Sequence, residues 1–177
     1  MILTGDPGVG KTTVLQKTVR ALGEQSVSVG GMISREVREA GNRVGFEVLN
    51  IASDQVGWLA RINQNSGPRV GKYRVNLGDL DGVGVRAIND ALAASDVIAI
   101  DEIGPMELFS EKFKTSIRNV LESSKLVIAV VHFRSRDPLV DLAKERADAE
   151  VFVVSEENRE RLPGVLVNRA IAFLNPL

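Results

Sequence analysis

The feature that most constrains this chain is a glycine-rich stretch near its start, Gly5-Asp6-Pro7-Gly8-Val9-Gly10-Lys11-Thr12. It matches the pattern Gly-x-x-x-x-Gly-Lys-Ser/Thr at every fixed position. In such a loop, backbone N–H groups surround the β-phosphate of a nucleotide, and Gly8 and Gly10 let the backbone approach where a side chain would clash. Lys11 is expected between the β- and γ-phosphates, and the Thr12 hydroxyl is a natural ligand for Mg²⁺. The stretch therefore predicts a phosphate-binding loop.

A phosphate-binding loop requires a strand before it and a helix after it. The helix predicted over 11–23 has an apolar face made of Val14, Leu15, Val19 and Leu22. Its N-terminal N–H groups and its dipole favour a bound anion. Only residues 1–4 precede the loop, so a short first strand and a trimmed start are both open.

Composition indicates one ordinary domain with a real core. The chain has 177 residues, of which 44% are hydrophobic and 25% charged, as is typical of soluble proteins. The net charge of −1 does not suggest a nucleic-acid or membrane surface, although a local basic patch is compatible with it. The absence of cysteine and the single histidine argue against disulfide, thiolate and zinc chemistry. No apolar run reaches the length of a membrane span, and the start does not read as a secretory signal, so a cytoplasmic location is expected.

The order of predicted elements indicates an α/β fold. Strands are predicted at 27–34, 44–50, 56–62, 73–76, 96–101, 126–131 and 150–154, and further helices at 79–94, 107–123, 138–146 and 163–173. This alternation predicts a three-layer P-loop-type domain over 1–177 with a mostly parallel central sheet. Segment 35–76, with a hairpin turn at Gly41-Asn42 and a loop over 63–72, is predicted as a small antiparallel excursion within that domain.

A second motif supplies acids for the same site. Val97-Ile98-Ala99-Ile100-Asp101-Glu102 fits a Walker B strand, in which Asp101 holds Mg²⁺, through water because Mg²⁺ keeps much of its hydration shell. The alternative is a core strand that ends in a solvated acid. Glu102 is the candidate to orient water in line with the γ-phosphate. A cap for the following turn or an outer ligand of Mg²⁺ are the alternatives for Glu102.

Candidate cations follow the strand at 126–131. Arg134 is the first choice to stabilise charge on the γ-phosphoryl group, with Arg136 beside it. His132 could sense the γ-phosphate by hydrogen bonding, although a histidine at a strand end is as often structural. Because ligands bind at the carboxyl ends of parallel strands, the loop at 5–12, Asp101 and His132 are expected to converge.

With both halves of the site in view, the chain resembles the THEP family of small P-loop nucleoside-triphosphatases over nearly its full length. The resembling stretches are Gly5-Asp6-Pro7-Gly8-Val9-Gly10-Lys11-Thr12-Thr13, Arg35-Glu36-Val37-Arg38, Arg43-Val44-Gly45-Phe46, Val70-Gly71-Lys72-Tyr73-Arg74-Val75, Asp101-Glu102-Ile103-Gly104-Pro105-Met106-Glu107-Leu108-Phe109-Ser110, His132-Phe133-Arg134-Ser135 and Glu157-Asn158-Arg159. The segment that begins at Asp101 is the most specific of these. The resemblance implies hydrolysis of several nucleoside triphosphates, ATP and GTP among them, to the diphosphate and phosphate. It also implies nucleotide contacts from 5–13 and from Asp101–Gly104.

Two departures from the family pattern accompany the resemblance. The first strand is short, and Pro163-Gly164 interrupts the region where a continuous last helix is expected.

Three functions are weighed on these motifs. The leading one is Mg²⁺-dependent hydrolysis of nucleoside triphosphates with broad base tolerance, because every strong motif addresses phosphate. A nucleotide or small-metabolite kinase would use the same loop, with Arg134 and Arg136 as a short lid. A nucleotide-gated switch would use 35–76 as its moving part. The basic cluster Arg35, Arg38 and Arg43 is expected to be a solvated face, with a phosphate or partner contact as the minority interpretation.

Overall fold

The computed structural model describes residues 1–175. Within them, nine strands form one sheet in the order β5-β6-β4-β3-β2-β7-β8-β1-β9. The strands are β1 Ile2–Thr4, β2 Val29–Glu39, β3 Asn42–Asn50, β4 Val56–Arg61, β5 Arg69–Val70, β6 Tyr73–Val75, β7 Val97–Ile103, β8 Leu126–Val131 and β9 Val151–Val153. The helices are α1 Lys11–Glu24, α2 Leu77–Asp79, α3 Arg86–Ala94, α4 Glu111–Glu122, α5 Pro138–Glu145 and α6 Leu162–Leu174.

The sheet has a parallel core and an antiparallel extension. Strands β2, β7, β8, β1 and β9 run parallel to one another, whereas β3 to β6 pair antiparallel. Although β1 has three residues, it pairs on both sides, with Ile2 opposite Ala129 on β8 and Val151 on β9. The predicted α/β class, with a mostly parallel sheet and an antiparallel excursion after β2, is confirmed.

Side chains of β7 alternate between two cores, which makes the fold three-layered. Ile98 and Ile100 point into one core with residues of α3, α4 and α5. Val97 and Ala99 point into the other with residues of α1 and α6. Since both faces of β7 are covered, the strand carries apolar residues at successive positions.

Several boundaries differ from the sequence-based predictions. Strand β2 continues to Glu39 because its second half pairs with β3 in a long hairpin, so the excursion grows directly out of a core strand. The loop predicted over 63–72 contains the two-residue strand β5. The helix predicted over 79–94 starts two residues earlier and passes through a π-helical stretch, Leu80–Val85, where Gly82 and Gly84 lie.

Two predicted helices begin differently from expectation. In the segment 107–123, Ser110 separates a 3₁₀ turn at Glu107–Phe109 from α4, and its hydroxyl caps α4 by accepting from the N–H of Phe113. Pro163 and Gly164 do not interrupt the last helix, because they occupy the first turn of α6. A backbone N–H in the first turn has no partner within the helix, so a proline there costs no hydrogen bond. Across residues 1–175, each helix is too short or too polar to cross a membrane.

Candidate active site

The carboxyl ends of β1, β7 and β8 meet at one edge of the sheet, and a cleft of about 650 Å³ opens there. Its walls are formed by Gly5, Pro7, Gly8, Gly10, Lys11, Thr12, Thr13, Glu102, His132, Phe133 and Arg134. The loop, the acidic segment and the loop after β8 therefore converge, as the strand order requires.

The loop between β1 and α1 has the backbone that a phosphate cradle needs. Gly5, Gly8 and Gly10 have φ values of 144°, 79° and 109°, which other residues rarely adopt. A Cβ at Gly5 would also lie 2.6 Å from the carbonyl oxygen of Val154. Lys11 lies across the loop, and its Nζ donates to the carbonyl oxygens of Gly5 at 2.9 Å and Asp6 at 3.0 Å. These two acceptors keep the ammonium inside the loop, beside the start of α1.

Asp101 joins this loop to the acidic segment. Its side chain is fully buried. Oδ1 accepts from the Thr12 hydroxyl at 3.2 Å, and Oδ2 accepts from the Ser34 hydroxyl at 3.2 Å. Burial raises the pKa of Asp101 to about 6, with the nearby charge of Glu102 adding to the shift. Although β8 separates β1 from β7, the two motifs therefore meet through a direct contact.

Glu102 lines the cleft beside Asp101. Burial raises the pKa of Glu102, and the positive charges of Lys11 and His132 oppose that rise. Its carboxylate folds over Gly104, where a Cβ would lie 2.6 Å from Oε1. The missing side chain at Gly104 thus makes the space in which the Glu102 carboxylate sits.

A third acid, Glu107, lies behind these two and is 4% exposed. Burial, with the charges of Glu102 and Asp101 adding to its effect, raises the pKa of Glu107 to about 8. Three carboxyl groups thus crowd one end of the sheet, and the innermost is largely protonated at neutral pH.

The oxygen donors of this site suit magnesium. The Thr12 hydroxyl and the Asp101 carboxylate are hard ligands within 3.2 Å of each other, and a cation there would offset the negative charge of the acids. Within residues 1–175, there is no cluster of three or more His, Cys, Asp or Glu arranged to hold a metal. Mg²⁺ commonly takes one or two protein ligands and completes its shell with phosphate and water.

The loop after β8 brings the predicted cations to the rim of the cleft. The N–H of Arg134 donates to Nδ1 of His132 at 3.3 Å. The Arg134 side chain is 77% exposed, and its Nη2 lies 4.0 Å from Oδ1 of Asp6. Arg134 thus lines the cleft at its exposed rim, whereas Arg136 does not line it.

The lining of the cleft does not include five residues predicted to contact nucleotide, which are Asp6, Val9, Asp101, Ile103 and Gly104. Ile103 is 1% exposed and packs in the core with residues of α3 and α4, while its carbonyl oxygen accepts from the N–H of His132 at 3.2 Å. The backbone carbonyl of Asp6 accepts from Lys11, and its carboxylate lies 4.0 Å from the Arg134 guanidinium.

Three residues of the site carried no predicted role. Ser34 holds Asp101 from β2, and Glu107 lies buried behind the acidic pair. Arg159 donates from Nη1 to the carbonyl oxygen of Val9 at 3.3 Å, so it braces the phosphate loop from the segment before α6. The sequence signal for Glu107 and Arg159 was their place in resembling stretches, whereas a serine on a neighbouring strand gives none.

Comparisons with known proteins agree with this arrangement. A protein-family model described as NTPase matches residues 1–167. The nucleoside-triphosphatase THEP1 of Thermofilum pendens is 45% identical over 174 residues, covering 98% of this chain and 95% of the relative. The protein of the same name from Methanosarcina acetivorans is 45% identical over 173 residues, covering 97% of each.

Two solved structures share the fold. The crystal structure of THEP1 from Aquifex aeolicus is similar with a TM-score of 0.87 at 30% identity, covering 96% of this chain and 98% of that one. The solution structure of a human cancer-related nucleoside triphosphatase is similar with a TM-score of 0.81 at 34% identity, covering 96% and 95%.

Proposed function

This chain belongs to the NTPase family of THEP1-type nucleoside-triphosphatases, and we propose that it hydrolyses nucleoside triphosphates to the diphosphate and phosphate with the help of Mg²⁺. The observation that carries the proposal is the 3.2 Å contact between Thr12 and Asp101. That contact joins the phosphate loop to the segment that carries Asp101 and Glu102, and it supports the proposal because a hydroxyl and a carboxylate are oxygen ligands that would suit Mg²⁺.

The substrates we propose are the common nucleoside triphosphates, ATP and GTP among them. The residues that line the cleft offer backbone N–H groups, an ammonium and a hydroxyl, all of which suit phosphate rather than a particular base. We also propose a cytoplasmic location, where these substrates are abundant.

Lys11 and the loop hold the triphosphate. On binding, the ammonium exchanges the carbonyl oxygens of Gly5 and Asp6 for oxygens of the β- and γ-phosphates. When bound, Mg²⁺ would be held by the Thr12 hydroxyl and, through water, by Asp101, and it would draw charge from the same phosphate oxygens.

Glu102 orients the attacking water. Its carboxylate accepts a hydrogen bond from the water, whose oxygen forms a bond to the γ-phosphorus. As that bond forms, the bond from the γ-phosphorus to the bridging oxygen breaks, and the diphosphate leaves with the electron pair. The water proton passes to Glu102 and then to the released phosphate, which restores the carboxylate. Arg134 adds positive charge at the rim as charge spreads over the γ-phosphoryl oxygens.

Phosphate release from ATP, GTP, CTP and UTP, with and without Mg²⁺, tests the proposal. We expect release from all four nucleotides with Mg²⁺ and none after chelation. Lys11→Ala should lose nucleotide binding, whereas Glu102→Gln should bind nucleotide and turn over about 10²- to 10⁴-fold more slowly, as when a general base is lost. Glu24→Gln, which changes an exposed acid at the end of α1, is the matched control. Unchanged release by Glu102→Gln would refute its role.

The same assay separates the alternative functions. Phosphate release that requires no acceptor supports hydrolysis, and diphosphate formation that depends on an added acceptor would indicate a kinase. A partner protein captured only with a non-hydrolysable triphosphate, together with negligible turnover, would indicate a switch.

A further inference from the structure

Three arginines face one another across the antiparallel extension. Arg61 on β4 is the register partner of Arg74 on β6, and Arg74 is the register partner of Arg69 on β5. Residues directly opposite in an antiparallel pair point to the same side of the sheet, so these three form a line that we call the arginine row. Like charges placed directly opposite each other destabilise a sheet. Repulsion within the row therefore lowers the stability of this part of the sheet.

Among the described residues, no carboxylate forms an ion pair with the arginine row, and the nearby Asp79 carboxylate accepts instead from the backbone N–H of Trp58 at 2.7 Å. Throughout the part of the chain that the structure describes, none of the three has a carboxylate oxygen within 4.0 Å. In the sequence from Gln55 to Gly78 there are four basic residues and no acidic one. By contrast, the arginines of the neighbouring hairpin form ion pairs with glutamates, as in the pair between Arg35 and Glu47.

Trp58 fixes one end of the row. Its ring lies over the bare backbone of Gly45, where a Cβ would be 3.1 Å from the ring. The Arg61 guanidinium lies 4.1 Å from the centre of the same ring. The Nε of Arg61 is buried without a hydrogen-bond partner in the described residues. Arg61 is thus held in place by stacking on Trp58 while its charge stays uncompensated.

The row also has a defined place relative to the cleft. Strand β4 lies three strands from β7, or roughly 14 Å at the usual spacing between strands. The loop between β4 and β5 carries Asn63, Gln64, Asn65 and Ser66, which are hydrogen-bonding side chains next to the row. The surface is therefore cationic and polar, outside the phosphate cleft, and separate from the cations assigned to hydrolysis.

We propose that the arginine row and Trp58 bind the phosphodiester backbone of a single-stranded nucleic acid. Cations on neighbouring strands, roughly 5 Å apart at the backbone, suit repeated phosphates better than a single phosphate group. A stacked Trp–Arg pair offers a planar platform for a base, and such platforms tolerate any base. A membrane surface would call for a continuous apolar patch to insert, whereas the exposed Val56 and Ile62 lie apart, at the start of β4 and just past its end. This binding function would be additional to nucleotide hydrolysis. The overall charge of −1 does not indicate the arginine row, because the acids that balance its charge lie elsewhere in the chain.

Fluorescence anisotropy with labelled 12-mers of dT and rU tests the proposal, with the full chain at 50 to 200 mM salt. Both oligomers should bind, because the backbone is what the row recognises, and affinity should fall with salt. The variant Arg69→Gln/Arg74→Gln should bind about tenfold more weakly at the lowest salt. The slope of log affinity against log salt should be less negative by about 1.4, because each of the two lost phosphate contacts contributes about 0.7 to the slope. Arg61 is left intact because it packs on Trp58.

The control is Arg20→Gln/Arg118→Gln, which removes the same charge from exposed positions on α1 and α4. If the control weakens binding as much as the test variant, binding reflects net charge and the proposal fails. It also fails if the wild type binds neither oligomer, if a 12-base-pair duplex binds as tightly as the single strands, or if only anionic vesicles bind. Thermal unfolding of the control should match the wild type, and that of the test variant should not be lower, because it loses like charges that face each other. Phosphate release should be unchanged in both variants, which separates this test from that of hydrolysis.

Discussion

Glu107 makes stability depend on pH in a direction unusual for an acid. A carboxyl group whose pKa is higher in the folded than in the unfolded chain binds its proton more tightly when folded. Its contribution is therefore fully present at low pH and is lost as the pH rises through the folded pKa. For Glu107 the window runs from the ordinary 4.5 to about 8. At 1.36 kcal/mol per unit, this difference corresponds to a loss of roughly 5 kcal/mol in the free energy of unfolding across the window.

The variant Glu107→Gln isolates this effect. Glutamine keeps the shape and an acceptor for the backbone N–H groups of Glu107 and Gly104 that bond the carboxyl, but it cannot ionise. Urea unfolding without magnesium or nucleotide should show a midpoint for the wild type that falls by about 2 M between pH 5 and pH 9, given an m value of about 2 kcal/mol/M. The midpoint of Glu107→Gln should change much less.

The upper part of the pH range makes the test specific. Asp101 titrates in the folded chain at about 6. Burial lowers the pKa of the Met1 ammonium below its ordinary 8.0, but that group is the same in both proteins, so the difference between the wild-type and Glu107→Gln curves from pH 7 to pH 9 reports on Glu107. Glu24→Gln, at an exposed position, controls for the loss of one negative charge and should follow the wild-type curve. If the curves of wild type and Glu107→Gln run parallel from pH 5 to pH 9, Glu107 does not carry a buried proton and the argument is wrong.

Two further substitutions probe the acidic site. Gly104→Ala should displace the Glu102 carboxylate, because a Cβ would lie 2.6 Å from it. This variant should have a kcat about a hundredfold lower, while it still binds a non-hydrolysable analogue. The control is Gly23→Ala, whose Cβ would meet no atom within 4 Å, and equal kcat values in the two variants would contradict the contact. Ser34→Ala should lower the free energy of unfolding by about 1–3 kcal/mol, because it leaves a buried oxygen of Asp101 without its donor; an unchanged urea midpoint would count against that hydrogen bond.

The parts of the fold that follow from local patterns were predictable from the sequence. The loop from Gly5 to Thr12 and the apolar run that ends at Asp101 each have a fixed spacing, and parallel strands bring their carboxyl ends together. The order of the strands was not predictable, because β8 lies between β1 and β7 and no local signal sets which strands are neighbours. The contact between Thr12 and Asp101 forms across the inserted strand because α1 packs against both β8 and β7.

The unpredicted features depend on pairing between distant segments. Residues 35–39 are too charged to suggest a strand, yet they continue β2 because β3 offers partners along the whole length. Ser34 then becomes part of the site only because this strand passes beside β7. Gly104 could be predicted near the nucleotide, but not as the space that the Glu102 carboxylate fills.

The net charge of the chain also shows what a sequence alone cannot predict. The composition gives a net charge of −1, which by itself does not suggest a nucleic-acid surface. Composition counts charges, whereas binding depends on which charges the topology places side by side and leaves without a counter-ion. Arg61 and Arg74 lie 13 positions apart in the sequence, and only the register of β4 with β6 sets them opposite each other. The acids that balance the total charge include Asp101, Glu102 and Glu107, which the same fold buries at the catalytic edge. A chain that is nearly neutral overall therefore has an acidic site at one edge of the sheet and, several strands away, a row of arginines without ion pairs among the described residues.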